Sequence, residues 1–409
     1  MPVDHETVIV GAGQAGLAMS GHLRRRGRDH VVLERGQIGG RWRGDRWDSL
    51  AFQMPNWTLE LPGMPYEGSD PEGFALHGEI LRFIEAYAAR IEAPVREGVE
   101  VTALRARDEA DGYVLETSAG RVQALNVVIA TGPFHHPVIP GCAAALPPEV
   151  FQTDALRYRA PDQLPEGAVL VVGSGSSGTQ IADELLRAGR KVFLSLGRHR
   201  YAPRTYRGRD VIWWLDRLGR FDVPIDAMPG RRPPPPTVMT GVDGGYDLYP
   251  RLLGTQGAVL VGRVTAVAEG QVMLADDANR LLDEADRACG EFIAAADALA
   301  WTVGLPPDRG GTWPRAAGPV APVPSLDIAA EGIAAVVWAV GYGTDHGWVK
   351  LPVLDAGGRP LHQRGVTACS GVYFLGLHWM HTFGSGLLSY VGQDAAWLAD
   401  AIDRRARPA

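Results

Sequence analysis

Residues 7–16 read TVIVGAGQAG and residues 168–178 read AVLVVGSGSSG. Each is a short apolar run followed by three glycines in G-x-G-x-x-G spacing. Each is then followed by a helical pattern, about Gln14–Arg26 and Ser176–Ala188, with Gly27 and Gly189 suited to the helix ends. A second apolar run comes next in both copies. His30–Glu34 ends in an acid, whereas Lys191–Leu196 ends in Gly197 and Arg198. One such motif is weak evidence in a chain with 51 glycines. Two copies, each between a strand and a helix, indicate two dinucleotide-binding units.

The glycines carry the chemistry. Gly11, Gly13 and Gly16 let the backbone approach a pyrophosphate, and the helix N-terminus faces its negative charge. Glu34, eighteen residues after Gly16, is placed to accept hydrogen bonds from an adenosine ribose, with Arg35 beside it. The carboxylate would repel a 2′-phosphate, so the first unit suits FAD or NAD. Gly39, Gly40, Arg41 and Trp42 follow, combining close backbone approach with a flat indole. In the second unit Gly173, Gly175, Ser176, Ser177 and Gly178 form the phosphate turn. Arg198, Arg200 and Arg204 stand where the acid is missing, which favours NADPH over NADH, since a guanidinium grips phosphate through paired hydrogen bonds.

The rest of the chain limits the possibilities. It has 409 residues and a formal charge of −7, which argues against a nucleic-acid partner held by a broad basic face. Lys191 and Lys350 are the only lysines, so nearly all 40 basic residues are arginine. Cys142, Cys289 and Cys369 form no C-x-x-C pair, which leaves no redox dithiol or zinc ribbon. Few thiols, no long apolar run and an N-terminus that enters a strand almost at once point to a cytoplasmic protein with no membrane partner.

The expected fold class is α/β, with two Rossmann-like dinucleotide-binding domains. Residues 1–162 and 345–409 would form a discontinuous FAD-binding domain. Residues 163–344 would form an inserted NADPH-binding domain, with a loop-rich and helical insertion at about 207–322. Further helices are expected at Gly78–Ile91, Leu281–Thr302 and Leu387–Arg404. A meander is expected over residues 99–130 and core strands at Ala334–Gly341 and Val372–Leu377, with Val336–Val340 closing the inserted sheet. Pro133–Pro165 reads as a crossover, and Pro233–Pro236 as a rigid loop. Trp213 and Trp214 fit either a lid or an apolar helix face.

These residues resemble the flavin-containing monooxygenases. The carriers are Gly11–Gly16, Gly39–Trp42, Trp47–Leu50, Ala130-Thr131-Gly132, Gly173–Gly178 and Ala339–Tyr342. Segments such as Pro55-Asn56-Trp57 and Phe374–Thr382 are similar to a bacterial branch of flavin-dependent oxidoreductases with no assigned substrate. The resemblance implies FAD and NADPH as cofactors, and O2 with a small-molecule nucleophile, an amine nitrogen or a sulfur, as partners. NADPH would reduce the flavin, and a peroxide formed at flavin C4a would oxygenate the substrate. Ketone or aromatic-ring oxygenation, and reduction or oxidation without oxygen insertion, are the alternatives. The resemblance adds Trp47, Val101, Ala130, Thr131, Gly132, Gly341 and Gly376 to the cofactor-binding residues. Gln53 stands where many members place an Asn beside the flavin. Asn56, His378 and His381 are the other candidates for the reacting centre. The Baeyer–Villiger motif is not met from Phe151. A homodimer is compatible with the sequence but not specified by it.

Overall fold

The computed structural model describes residues 3–108, 110–306, 313 and 318–406. The chain opens with β1 (His5–Val10), α1 (Gln14–Arg25) and β2 (His30–Glu34). Val8, Ile9 and Leu33 are fully buried because both faces of a parallel sheet are covered. Then follow α2 (His77–Arg90), β3 (Val95–Glu97) and the antiparallel run β4 (Val101–Ala106), β5 (Tyr113–Thr117) and β6 (Gly120–Ile129). β3, β2, β1, β6, β5 and β4 lie in that order in one sheet, with β1 parallel to β2 and to β6.

The second sheet takes β7 (Phe151–Asp154), β8 (Ala168–Val172), β9 (Val192–Ser195), β10 (Val259–Val261) and β11 (Ile333–Trp338). Its order is β7, β11, β8, β9, β10, all parallel, with α3 (Ser176–Arg187) between β8 and β9. α4 (Ala278–Val303) packs against this half. The chain then returns to the first sheet, where β12 (Val372–Phe374) pairs with β6 and α5 (Val391–Ala406) packs on α1.

Four expectations about this architecture are corrected. The strand placed at residues 336–340 lies inside the sheet, between β7 and β8, and does not close it. The edge is β7, from the stretch read as a crossover, so the second sheet draws on residues before 163. Phe-Gln-Thr-Asp carries no apolar alternation, and only Thr153 and Asp154 are buried, so there is little strand signal in these residues. β10 belongs to the core sheet although it lies within the stretch expected as an insertion. Of that 207–322 span, residues 307–312 and 314–317 lie outside the described residues. The last helix begins at Val391 rather than Leu387, with a short helical turn, Phe383–Gly386, ahead of it.

Candidate active site

One cleft of about 1750 Å³ opens along the carboxyl ends of β1 and β8. Ligands of open α/β sheets bind at that end. The volume exceeds the roughly 300–1,000 Å³ of a pocket for one small ligand, so the cleft has room for two dinucleotides.

Both glycine motifs face it, and their three glycines divide the work. A methyl group at Gly11 or Gly173 would sit 2.6 or 2.4 Å from a carbonyl oxygen of the adjoining strand end, Ala130 or Ala339. Both residues also have φ above +100°, so only glycine fits without strain. A methyl at Gly16 or Gly178 would lie 1.9 Å from the carbonyl oxygen of the motif's first glycine. These four are therefore required by packing. The middle glycines differ. Nothing lies within 4 Å of a methyl at Gly13, and only Pro236 Cγ, at 3.5 Å, approaches one at Gly175. Both middle glycines line the cleft. Neither α1 nor α3 has a carboxylate in its first turn or a side-chain cap, so their leading N–H groups are free for an anion.

In the first cradle Glu34 is held by two backbone donors. Ala12 N–H donates to Oε2 at 2.8 Å and Gly36 N–H to Oε1 at 2.9 Å, which leaves lone pairs on both oxygens for a ribose diol. Arg35 lines the cleft and is exposed, with no carboxylate partner among the described residues. Gly39, at φ +68°, starts the short helix Gly40–Gly44 that presents Arg41 and Trp42. Arg41 pairs with Asp45 at 2.6 Å. The Trp42 indole donates to Gln14 Oε1 at 3.3 Å. Trp47, Val101, Ala130, Thr131 and Gly132 line the same cleft. Thr131 Oγ1 is buried without a hydrogen-bond partner. An open glycine cradle, an anchored acid and an unpartnered hydroxyl fit the diphosphate and ribose of FAD.

In the second cradle Ser176, Ser177 and Arg198 line the cleft, and Arg198 is exposed with no carboxylate partner among the described residues. Arg263 joins it from just beyond β10, the neighbouring strand. Asp277 accepts from its Nε at 2.6 Å and from its backbone N–H at 3.1 Å, which orients the outer guanidinium nitrogens. The two arginines fit the 2′-phosphate of NADPH. Arg263 was missed because β10 was not recognised as a strand of this sheet. Two expected phosphate ligands are corrected. Arg200 does not line the cleft; its backbone pairs with the Thr237–Val238 strand. Arg204 is 4% exposed and ion-paired with Asp210 at 2.8 Å. A guanidinium so enclosed cannot reach a coenzyme.

Gln53 and His378 line the same cleft, with Gly341 and Gly376. Gly376 has φ +78°, and a methyl there would press on Ala15 Cβ at 2.5 Å, so it turns the chain from β12 toward α1. The His378 ring meets Phe134 edge-on at 5.0 Å. The ring is open to the cleft, whose walls lower its imidazole below the ordinary histidine range by desolvation. The other two candidates for the reacting centre are corrected. Asn56 is buried off the cleft, its amide donating to Asp70 O at 3.0 Å and accepting from Ala75 N–H at 2.8 Å. His381 also lies off the cleft, 3.9 Å from Asp394. Both belong to loops whose neighbours face the cleft, and sequence spacing does not say which residue of a loop points inward. Trp214 is fully buried among Val211, Ile212 and Phe221, so it serves as an apolar helix face rather than a lid.

The model for the pyridine nucleotide-disulphide oxidoreductase family matches residues 8–208. An uncharacterized CzcO-like oxidoreductase of Geobacillus kaustophilus is 33% identical over 402 residues, covering 97% of this chain and 98% of that protein. The indole-3-pyruvate monooxygenase YUCCA1 of Oryza sativa subsp. japonica is 31% identical over 186 residues, 45% of this chain and 46% of its own. Among solved structures, a flavin-containing monooxygenase from Stenotrophomonas maltophilia superposes with a TM-score of 0.69 at 18% identity. The match covers 98% of this chain and 99% of that one.

Proposed function

The chain belongs to the flavin monooxygenase-like family of CzcO-like oxidoreductases, and from that footing we propose that it uses NADPH and O2 to oxygenate a small-molecule nucleophile, an amine nitrogen or a sulfur. The observation that carries this reading is the single cleft onto which both glycine cradles open. When bound, FAD supplies hydride acceptance from NADPH and the activation of O2. Everything else is binding, orientation and exclusion of water by the protein.

The N-terminus of α1 and Gly13 hold the FAD diphosphate, and Glu34 orients its ribose. The N-terminus of α3 with Ser176 and Ser177 holds the NADPH diphosphate. Arg198 and Arg263 grip the 2′-phosphate. Gln53 presents an amide to the reacting end. His378, whose neutral form is favoured by desolvation, then has one ring nitrogen to donate a hydrogen bond and one to accept. A thioether arrives with its lone pair free, an amine must bind in its neutral form, and a neutral imidazole adds no charge to the cleft and can accept a hydrogen bond from an amine N–H. Disulfide reduction finds no support in the residues, because none of Cys142, Cys289 and Cys369 lines the cleft.

The test supplies NADPH and isotopically labelled dioxygen to the purified holoprotein with a panel of thioethers and amines. The expected result is labelled oxygen in a product, formed in step with NADPH consumption. Steady NADPH consumption that yields only hydrogen peroxide across the panel would replace this reading with an oxidase.

A further inference from the structure

Arg204 is the buried cation that the phosphate reading left without a task. Its guanidinium joins two parts of the chain that are distant in sequence. On its own side, Nε donates to Asp210 Oδ2 at 2.8 Å and Nη1 to Thr240 O at 3.3 Å. Asp210 in turn caps the helix Val211–Arg217, accepting from Ile212 N–H at 2.8 Å. Toward the first sheet's half, Nη1 donates to the Gln53 carbonyl at 2.7 Å, and Cζ stands 4.3 Å from the Phe74 ring centroid.

The loop so gripped has little freedom. A methyl at Gly241 would lie 2.0 Å from Phe52 O, so the segment around Thr240 approaches the loop as closely as a glycine allows. Met54 is buried in an apolar cluster with Ala202, Val211, Ile212 and Trp214. The Phe52–Met54 loop therefore sits in a socket built by the segment that follows Arg198. Between two socketed neighbours, Gln53 lines the same cleft as His378.

We propose that Arg204 is a positioning residue of the reaction, fixing the Gln53 backbone from the opposite nucleotide-binding unit so that the Gln53 side chain is held at the flavin end of the cleft. This rests on the reading of Gln53 as part of the reacting centre. The fork geometry is what the task requires. A guanidinium serves a carboxylate and two carbonyls at once in fixed directions, whereas an ammonium is a point charge on a flexible stem. Arg204 lies six residues past Arg198, so the strand end that takes the coenzyme phosphate also continues into the clamp on the flavin-side loop.

The test compares the FAD-loaded protein with its Arg204→Lys, Gln53→Ala and doubly substituted variants. Three quantities are read: the visible spectrum of the bound flavin, the rate of anaerobic flavin reduction by NADPH, and the dissociation constant for NADP+. Arg204→Lys should shift the flavin bands in the same direction as Gln53→Ala and slow reduction about tenfold. NADP+ affinity should stay within about twofold, because no ground-state contact to coenzyme is lost. The double variant should be no slower than Gln53→Ala alone, as for two residues acting through one position. If Arg204→Lys does not fold, Asp210→Asn, which weakens the partner and keeps the arginine, should give the same pattern at smaller amplitude. Losses that multiply in the double variant would overturn the proposal. So would a tenfold weaker NADP+ complex with an unchanged flavin spectrum, which would return Arg204 to the coenzyme. A Gln53→Ala protein with the parent spectrum and rate would instead refute the role of Gln53 itself, and the positioning role would fall with it.

Discussion

A methyl group added at Gly13 would meet no heavy atom within 4 Å, whereas one at Gly16 would lie 1.9 Å from Gly11 O. The two glycines of one motif therefore answer to different constraints. Gly16 lets α1 pack against the end of β1, and Gly13 leaves the cleft wall bare for a ligand. Gly16→Ala is expected to abolish folding. Gly13→Ala should fold normally and lose its flavin, because its extended backbone, at φ −83°, accepts alanine. Far-ultraviolet circular dichroism and the ratio of flavin to protein absorbance read the two effects separately. A Gly13→Ala protein with full flavin content would remove the first cradle from the diphosphate. The same scale shows why Arg198 and Arg204, alike in the sequence, part company in the structure. The first ends a strand at the cleft and is exposed. The second has turned into the interior, where Asp210 and two carbonyls surround it.

Elements meet where side chains leave room for them. α1 and α2 approach each other through Gly21, where a methyl would lie 2.2 Å from Tyr87 Oη and 3.3 Å from Cζ. Tyr87 is fully buried and cannot swing aside. Overpacking of this kind costs about 1–3 kcal/mol, against about 1 kcal/mol gained by alanine in a helix. Gly21→Ala should therefore lower the denaturation midpoint. Adding Tyr87→Phe should restore it, because the offending atom is the hydroxyl. A double variant no more stable than Gly21→Ala would show that the ring, not the hydroxyl, sets the spacing. Elements with strong periodicity were legible in the sequence: α1 and α3 stop within about a residue of the expected ends, with Gly27 and Gly189 at positive φ just beyond. β7 and β10 were not. Each is only three or four residues long, too short to show a period, and each is a strand only because the sheet edge beside it offers hydrogen bonds.

The two halves of the molecule are joined beyond the Arg204 clamp. Ile225 N–H donates to His381 O at 2.8 Å, and Phe383 stacks on Phe221 at 5.4 Å. Several histidines elsewhere in the molecule are desolvated by their surroundings. Burial depresses His22 and His346 to about 4, and holds His30, His199 and His362 below the ordinary value. The unfolded chain binds protons to these rings near pH 6.5, where the folded chain keeps them neutral. Their contribution is complete above that value and is lost as pH falls from about 6.5 toward 4. Denaturant midpoints should thus fall between pH 7 and pH 5, with unfolding taking up protons. A midpoint constant across that range would show that the rings titrate equally in both states. Two nucleotide units are legible in the residues alone, because glycine spacing, strand hydrophobicity and helix length are local properties. The difference between the units is legible in the same way, since an acid and an arginine at matching strand ends differ in charge wherever they are placed. Which side chains face the cleft depends on the folded packing of the whole chain. Gln53 and Asn56, His378 and His381, and Arg198 and Arg204 are separated by three to six residues in loops without a period. Their directions are set by contacts with segments far along the chain, which bury one member of each pair or turn it away and leave the other at the cleft.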